Sequence, residues 1–251
     1  MVLLPMKITH DIMTNKMDEQ EKSPEHINDI LFRVLNRKNE DIVKKFAIPP
    51  YESPIEDVFA EHCFKYLSND VTVEKQVEVI TNHGRFRIDF VLTNSTRRIA
   101  IECDGKEFHE FLRDELRDGI LLGENHYDTI YHFRGCDLVY YPYDCIWLIS
   151  ILDKDIINRR GHLHLVKLRE ASFEVSNEKK NTDESFMFDI DPPKTAFWAY
   201  RRSLELVTRN PKMRYYWQLL YQFACEYPRA SLDELLDIEE AMWAKAKNSS
   251  S

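Results

Sequence analysis

Three strand-length segments in succession, joined by two short turns and bracketed by helix-like stretches, set the architecture open to this chain. From Val71 the apolar residues Val71, Val73, Val77 and Val79 are separated by polar ones, a pattern that favours a strand over a helix. The turn Asn82-His83-Gly84 leads into Phe86-Arg87-Ile88-Asp89-Phe90-Val91-Leu92, and Asn94-Ser95-Thr96 leads into Arg98-Ile99-Ala100-Ile101-Glu102-Cys103-Asp104. Turns this short make sequence neighbours into sheet neighbours, so the three predict a meander. Upstream, Ser53-Pro54-Ile55-Glu56 is a helix start, with serine as cap and proline at the first helical position; Val58, Phe59, Cys63, Phe64 and Leu67 continue one face to about Leu67. Downstream, Arg113 to Leu122 reads as helix, Thr129 to Phe133 and Leu138 to Tyr141 as short strands, and roughly 143–153 as helix. The fold class predicted is α/β, a mixed central sheet flanked by helices.

The flanks are different in character. Residues 1–50 are polar and charged around one amphipathic stretch, Ile27 to Leu35, and Pro49-Pro50 closes them. They are read as a helical or flexible extension, followed by a core over 51–172. Glu174 to Asp191 is dense in Asn, Lys, Glu, Asp and Ser, which predicts a linker over 173–194. From Thr195 the chain is aromatic-rich and helical in pattern, divided at Asn210-Pro211 and Tyr227-Pro228, so 195–251 is predicted to be a helical C-terminal appendage.

Composition narrows the classes. With 43% hydrophobic residues in 251, the chain can bury a sizeable core. No apolar run approaches the roughly 20 residues of a membrane helix, and the opening Met1 to Lys7 is too short for a signal peptide's apolar region; the expectation is a cytoplasmic protein without membrane contact. The five cysteines are scattered and form no C-x-x-C pair, which points to reduced thiols. A net charge of −9 excludes a simple polyanion-coating protein. It leaves room for an enzyme that gathers carboxylates around a cation and confines its basic residues to one groove.

Carboxylates interrupt two of the apolar strands. Asp89 follows Arg87-Ile88, and Glu102 and Asp104 follow Ile99-Ala100-Ile101; charges at such positions are costly to bury without a partner. The period of two puts Glu102 and Asp104 on one face, with Lys106 if the strand survives Gly105. If the two strands pair through their short turn, Asp89 approaches that face as well, and two or three carboxylates then surround one point. That is a hard-cation site, suited to Mg²⁺, with Mn²⁺ as a substitute, because Mg²⁺ keeps several waters and takes few protein oxygens.

Ser53-Pro54-Ile55-Glu56, Gln76-Val77, Arg87-Ile88-Asp89-Phe90, Ile101-Glu102-Cys103-Asp104-Gly105 with His109, Arg117-Asp118 and Phe133-Arg134 together resemble, in order and spacing, the small PD-(D/E)XK nucleases related to very-short-patch-repair endonucleases. The resemblance covers roughly residues 53–150 and neither flank. It implies a restriction-endonuclease-like fold and metal-dependent phosphodiester hydrolysis, with Asp89 and Glu102 as the acidic pair and Glu56 as a helix-borne acid nearby. The family's usual lysine two residues after the glutamate is Asp104 here, a departure shared by the subgroup with Glu-x-Asp-Gly. Lys106, His109 and Gln76 stand as candidates for its task. His109 titrates near neutrality and would relay a proton. Gln76, Arg113, Arg117 and Arg134 are the candidate nucleic-acid contacts, the arginines through their planar forks.

Plainer readings stand beside these. Glu-x-Asp-Gly alone is a strand entering a turn, Lys106 a solvated lysine, and Arg117-Asp118 a helix-face ion pair. Glu56 is favoured in a first helical turn by the macrodipole alone. His162 and His164 alternate as strand residues do, but lack further ligands nearby. Arg201, Arg202, Arg209, Lys212 and Arg214 interleave with aromatics, as in nucleic-acid contacts, although core packing explains most of those rings. The functions in competition are a DNA endonuclease or nickase in a prokaryotic or phage defence or repair setting, a noncatalytic nucleic-acid-binding or assembly subunit, and a nuclease subunit docked through its helical flanks, whether as a homodimer or to another protein.

Overall fold

The Ser53 hydroxyl accepts from Glu56 N at 3.3 Å, and with Pro54 in the first turn it starts α1 (Pro54–Cys63), which buries Phe59, Ala60 and Cys63. A 3-10 turn (Phe64–Tyr66) then carries the chain towards the sheet. The structure, a computed structural model, describes residues 51–105, 111–169, 185–190, 195–209, 211–212 and 214–249. The extension over 1–50, Lys106, His109 and most of the expected linker lie outside the described residues.

The meander is present as β1 (Thr72–Thr81), β2 (Gly84–Thr93) and β3 (Arg98–Asp104), followed by α2 (Phe111–Gly123) and β4 (Thr129–Arg134). β1–β2 and β2–β3 are antiparallel, and β4 joins β3 in parallel, opposite Ile99 to Asp104. After β4 come α3 (Gly135–Tyr140), α4 (Pro142–Leu152) and α5 (Arg159–Leu168), then β5 (Ser185–Ile190), β6 (Thr195–Ser203), α6 (Leu204–Arg209), α7 (Tyr216–Glu226) and α8 (Leu232–Ser249). Among the described residues the sheet has six strands in the order β1-β2-β3-β4-β6-β5. The expected mixed sheet with flanking helices is therefore the architecture of the described chain. No helix among the described residues is long and apolar enough to cross a membrane.

Each face of the sheet has its own core. Phe90, Leu92, Ile99, Ile101, Tyr131 and Phe133 pack with Phe59, Phe64, Ile146 and Leu148 on the α1–α4 side. Val79, Phe86, Ile88, Val91, Ala100 and Ile130 pack with Leu116, Ile120, Trp217, Leu220 and Leu235 on the α2–α7–α8 side. At about 1.5–3 kcal/mol for each large side chain buried, these two clusters are the main favourable contribution to folding.

The assignment of faces changes partway along the first two strands. In β2, Phe86 and Ile88 face α2, whereas Phe90 and Leu92 face α1; in β1, Val73 belongs with α1, but Val77 and Val79 belong with α2. The switch falls at Gln76 and Asp89, the one position missing from the β1–β2 register between Lys75↔Phe90 and Val77↔Ile88. Gln76 takes φ 48, a left-handed conformation that a side-chain-bearing residue rarely adopts inside a strand. The β2–β3 ladder also ends there, at Phe90↔Ile101. Beyond this point β1 and β2 continue as a hairpin arm without β3, so the sheet forks at Asp89.

Several expectations are corrected. Leu138 to Tyr141 is part of α3 rather than a strand: Leu138 is buried while both Val139 and Tyr140 are exposed, and Tyr141 N closes a helical bond to Asp137 O at 2.7 Å. His162 and His164 lie on a helix, capped by Asn158 Oδ1 accepting from Gly161 N at 2.8 Å, in which Gly161 and Leu165 face inward one turn apart. Their ring nitrogens lie 2.9 Å from Ser150 Oγ and from Tyr66 OH respectively. Ser185–Ile190, read as linker, and Thr195–Ser203, read as the start of a helical region, are strands paired with each other, and β6 also pairs with β4. The tail is helical only from Leu204, and the segment before it is part of the central sheet.

Candidate active site

The fork places the acidic residues. Asp89 turns out of β2, and its Oδ2 accepts from Cys103 N at 2.8 Å, substituting a side chain for the next rung of the β2–β3 ladder. Asp89 stands one step beyond the Phe90↔Ile101 pair, which puts it opposite Glu102. Glu102 is only 5% exposed and shares the α2 face with Ala100. Arg117 reaches it from α2, with Nη2 3.0 Å from Glu102 Oε1. The approach is that of an ion pair without hydrogen-bond alignment, and Oε1 has no hydrogen-bond partner.

Burial is the largest influence on both acids. It lifts the Asp89 carboxyl from 3.8 to about 6, helped by the charges of Glu56 and Asp104 and opposed by the Cys103 N–H and Gln76. It lifts Glu102 from 4.5 to about 8; Arg117 and His132 oppose the rise, while Asp89 and Asp104 add to it. The Asp89 charge thus helps to keep the proton on Glu102.

Behind the pair lies a chain of alternating charges. His132 on β4 stands opposite Glu102 in the parallel register. Its Nδ1 is 2.9 Å from Asp104 Oδ2 and its Nε2 2.8 Å from Asp118 Oδ2. Burial alone would lower the imidazole's pKa, but Asp118 and Asp104 outweigh it and raise the group to about 10, so it is an imidazolium donating from both nitrogens. Asp118 is fully buried, yet it is held well below the usual carboxylate range because His132, Arg202 and Arg117 overcome the burial. Arg202, from β6, places Nη1 2.7 Å from Asp118 Oδ2 and also grips Glu115.

The residues singled out in the sequence are distributed as follows. Glu56, 4% exposed, accepts at Oε2 from Gln76 Nε2 at 2.8 Å, so α1 brings its acid to the same cleft. Asp89, Glu102, Asp104, Arg117 and Gln76 converge there. Arg134 lies opposite Asp104 across β3–β4 but is held by Asp137, 2.6 Å from its Nε. Arg113 is not brought to the cleft: its Nη1 pairs at 2.6 Å with Asp233 on α8, at the exposed surface. Arg201 and Arg202, grouped in the sequence with candidate nucleic-acid contacts, are buried, Arg201 against Asp153 and Tyr131 on the opposite face. Reading the sequence missed His132 and Glu115, and it gave Asp118 and Arg202 other roles. A signal for His132 was there, since it sits in the apolar run Ile130-Tyr131-His132-Phe133, the same anomaly that marks Asp89 and Glu102.

Among the described residues no cluster of three or more His, Cys, Asp or Glu side chains is set to hold a metal ion. The cleft supplies instead two carboxylates that face each other across adjacent strands, one of them with a buried oxygen lacking a hydrogen bond. Such a donor set fits a hard cation that keeps most of its water. No family model, curated protein or solved structure matches this chain.

Proposed function

We propose that this chain is a divalent-cation-dependent nuclease of the restriction-endonuclease-like kind, acting on DNA as an endonuclease or nickase. The observation that carries the reading is the Asp89–Glu102 pair, two buried acids on adjacent strands, in which the Asp89 charge makes ionisation of Glu102 costlier. A cation relieves that cost, and binding it releases the proton that Glu102 otherwise retains up to a pH of about 8.

Asp89 and Glu102 would hold Mg²⁺ with Asp104 beside them; the bound ion supplies Lewis-acid polarisation of a phosphate oxygen and lowers the pKa of a coordinated water. The chain's own groups do the rest. Arg117, 3.0 Å from Glu102, balances the charge left on that carboxylate and offers a guanidinium to a neighbouring phosphate. Glu56, tied to Gln76, stands on the α1 side as a further acid at the site. His132 fixes Asp104 and Asp118 relative to each other from beneath the site.

Supercoiled plasmid incubated with Mg²⁺ or Mn²⁺ should be nicked or cut by the purified chain, and by neither Asp89→Asn nor Glu102→Gln. Inert wild-type protein on duplex, single-stranded and RNA substrates with both metals would overturn the proposal. One feature favours a second reading, a noncatalytic nucleic-acid-binding or assembly subunit: Arg117 and His132 already compensate Glu102 and Asp104 internally. That reading expects salt-dependent DNA binding unchanged in Asp89→Asn, with no cleavage.

A further inference from the structure

Gln76 combines three features. It is the one residue of β1 with positive φ, 48, in the middle of a strand whose neighbours pair normally with β2. Its amide Nε2 donates to Glu56 Oε2 at 2.8 Å, and its backbone stands beside Asp89, the partner skipped in the β1–β2 register. Its Oε1 is buried without a hydrogen-bond partner. A left-handed backbone conformation and an unmade buried hydrogen bond both cost free energy, and costs retained together at one residue mark a place where the surroundings over-determine the conformation.

The left-handed turn has a geometric result. It takes Gln76 out of the alternation of β1, so that the side chain lies in the fork and neither core claims it. There its nitrogen holds the Glu56 carboxylate of α1 close to Asp89 on β2. Two acids with no cation between them would otherwise move apart.

We propose that Gln76 is a positioning residue: in the metal-free chain its amide nitrogen holds the Glu56 carboxylate at the fork beside Asp89, keeping the cleft arranged for a divalent cation. This rests on the nuclease reading of the same site, but the two can fail separately. The amide stands in for part of the cation's charge, and its carbonyl oxygen, buried without a hydrogen bond, keeps an unused acceptor at the fork.

The test is calorimetric titration of the full chain with Mn²⁺, without nucleic acid, together with melting curves. Gln76→Gly accepts φ 48 without strain and should melt at or above the wild-type temperature while binding Mn²⁺ at least tenfold more weakly. Gln76→Asn tolerates the same backbone and keeps an amide one methylene short; it should also bind at least several-fold more weakly, and it serves if the glycine variant does not fold. A folded Gln76→Gly or Gln76→Asn with wild-type Mn²⁺ affinity overturns the role of Gln76 and leaves the nuclease reading intact. A wild-type chain that binds no divalent cation overturns both.

Discussion

Replacing Arg202 by methionine removes the guanidinium that compensates two buried acids and keeps most of the side chain's volume. Arg202 is 7% exposed, Asp118 is fully buried and Glu115 is 8% exposed. Removing one member of such a group leaves uncompensated buried charge, at a cost of about 3–5 kcal/mol. His132 stays on Asp118 Oδ2 at 2.8 Å, so the lower end applies, about 3 kcal/mol. For a chain of this size that corresponds to a fall in melting temperature of about 6–12 °C. Equilibrium urea unfolding at pH 7 measures it. Arg209→Met is the control, since Arg209 pairs with Glu205 on the surface and its loss should stay within about 0.5 kcal/mol. A cost for Arg202→Met under about 1 kcal/mol, or one equal to the control's, would refute the argument that the buried charge chain is stabilised through β6.

Two further outcomes follow from the same structure. The His132 imidazolium contributes stability fully present below 6.5 and lost as pH rises towards about 10; Glu102 keeps its proton in the folded chain up to about 8 but loses it near 4.5 when unfolded, so stability also falls as pH rises through that window. Metal-free protein should therefore be easier to unfold at pH 9 than at pH 6, with Glu102→Gln flattening the lower part of the slope, and a stability that rises between these values would contradict the assignment. In Gly119→Ala the new Cβ would lie 2.7 Å from the Trp217 carbonyl oxygen, forcing α7 away from α2. The expected loss is about 1–2 kcal/mol by thermal melting, overpacking partly offset by alanine's helix propensity, and an unchanged melting temperature would show that the helices separate freely.

The three-strand meander and the Asp89–Glu102 juxtaposition were legible because hydrophobic alternation and short turns act locally, and β3 runs over the predicted Arg98 to Asp104. β6 was not legible. Its consecutive Arg201 and Arg202 lie on opposite faces of the sheet and are buried by ion pairs with Asp153 and with Asp118 and Glu115, partners far away in sequence. No local period announces a strand whose inward residues are cations. α3 was misread because Val139, Tyr140 and Tyr141 suit strands individually, whereas Gly135 lets the helix start so close to α1 that a Cβ there would meet Ile55 Cδ1 at 2.5 Å. The switch of faces at Gln76 and Asp89 leaves apolar residues on both parities, which reads in sequence as an imperfect strand rather than as a fork.

Beyond the fork, the tip of the β1–β2 arm is pinned from an unexpected quarter. Leu232 N donates to His83 O at 2.9 Å, His83 Nδ1 lies 2.8 Å from Ala230 O, and Leu232 and Leu235 pack in the same cluster as Val79 and Phe86. The C-terminal helices, far along the chain and supplying none of the acids at the fork, thus brace the arm at whose base Asp89 stands.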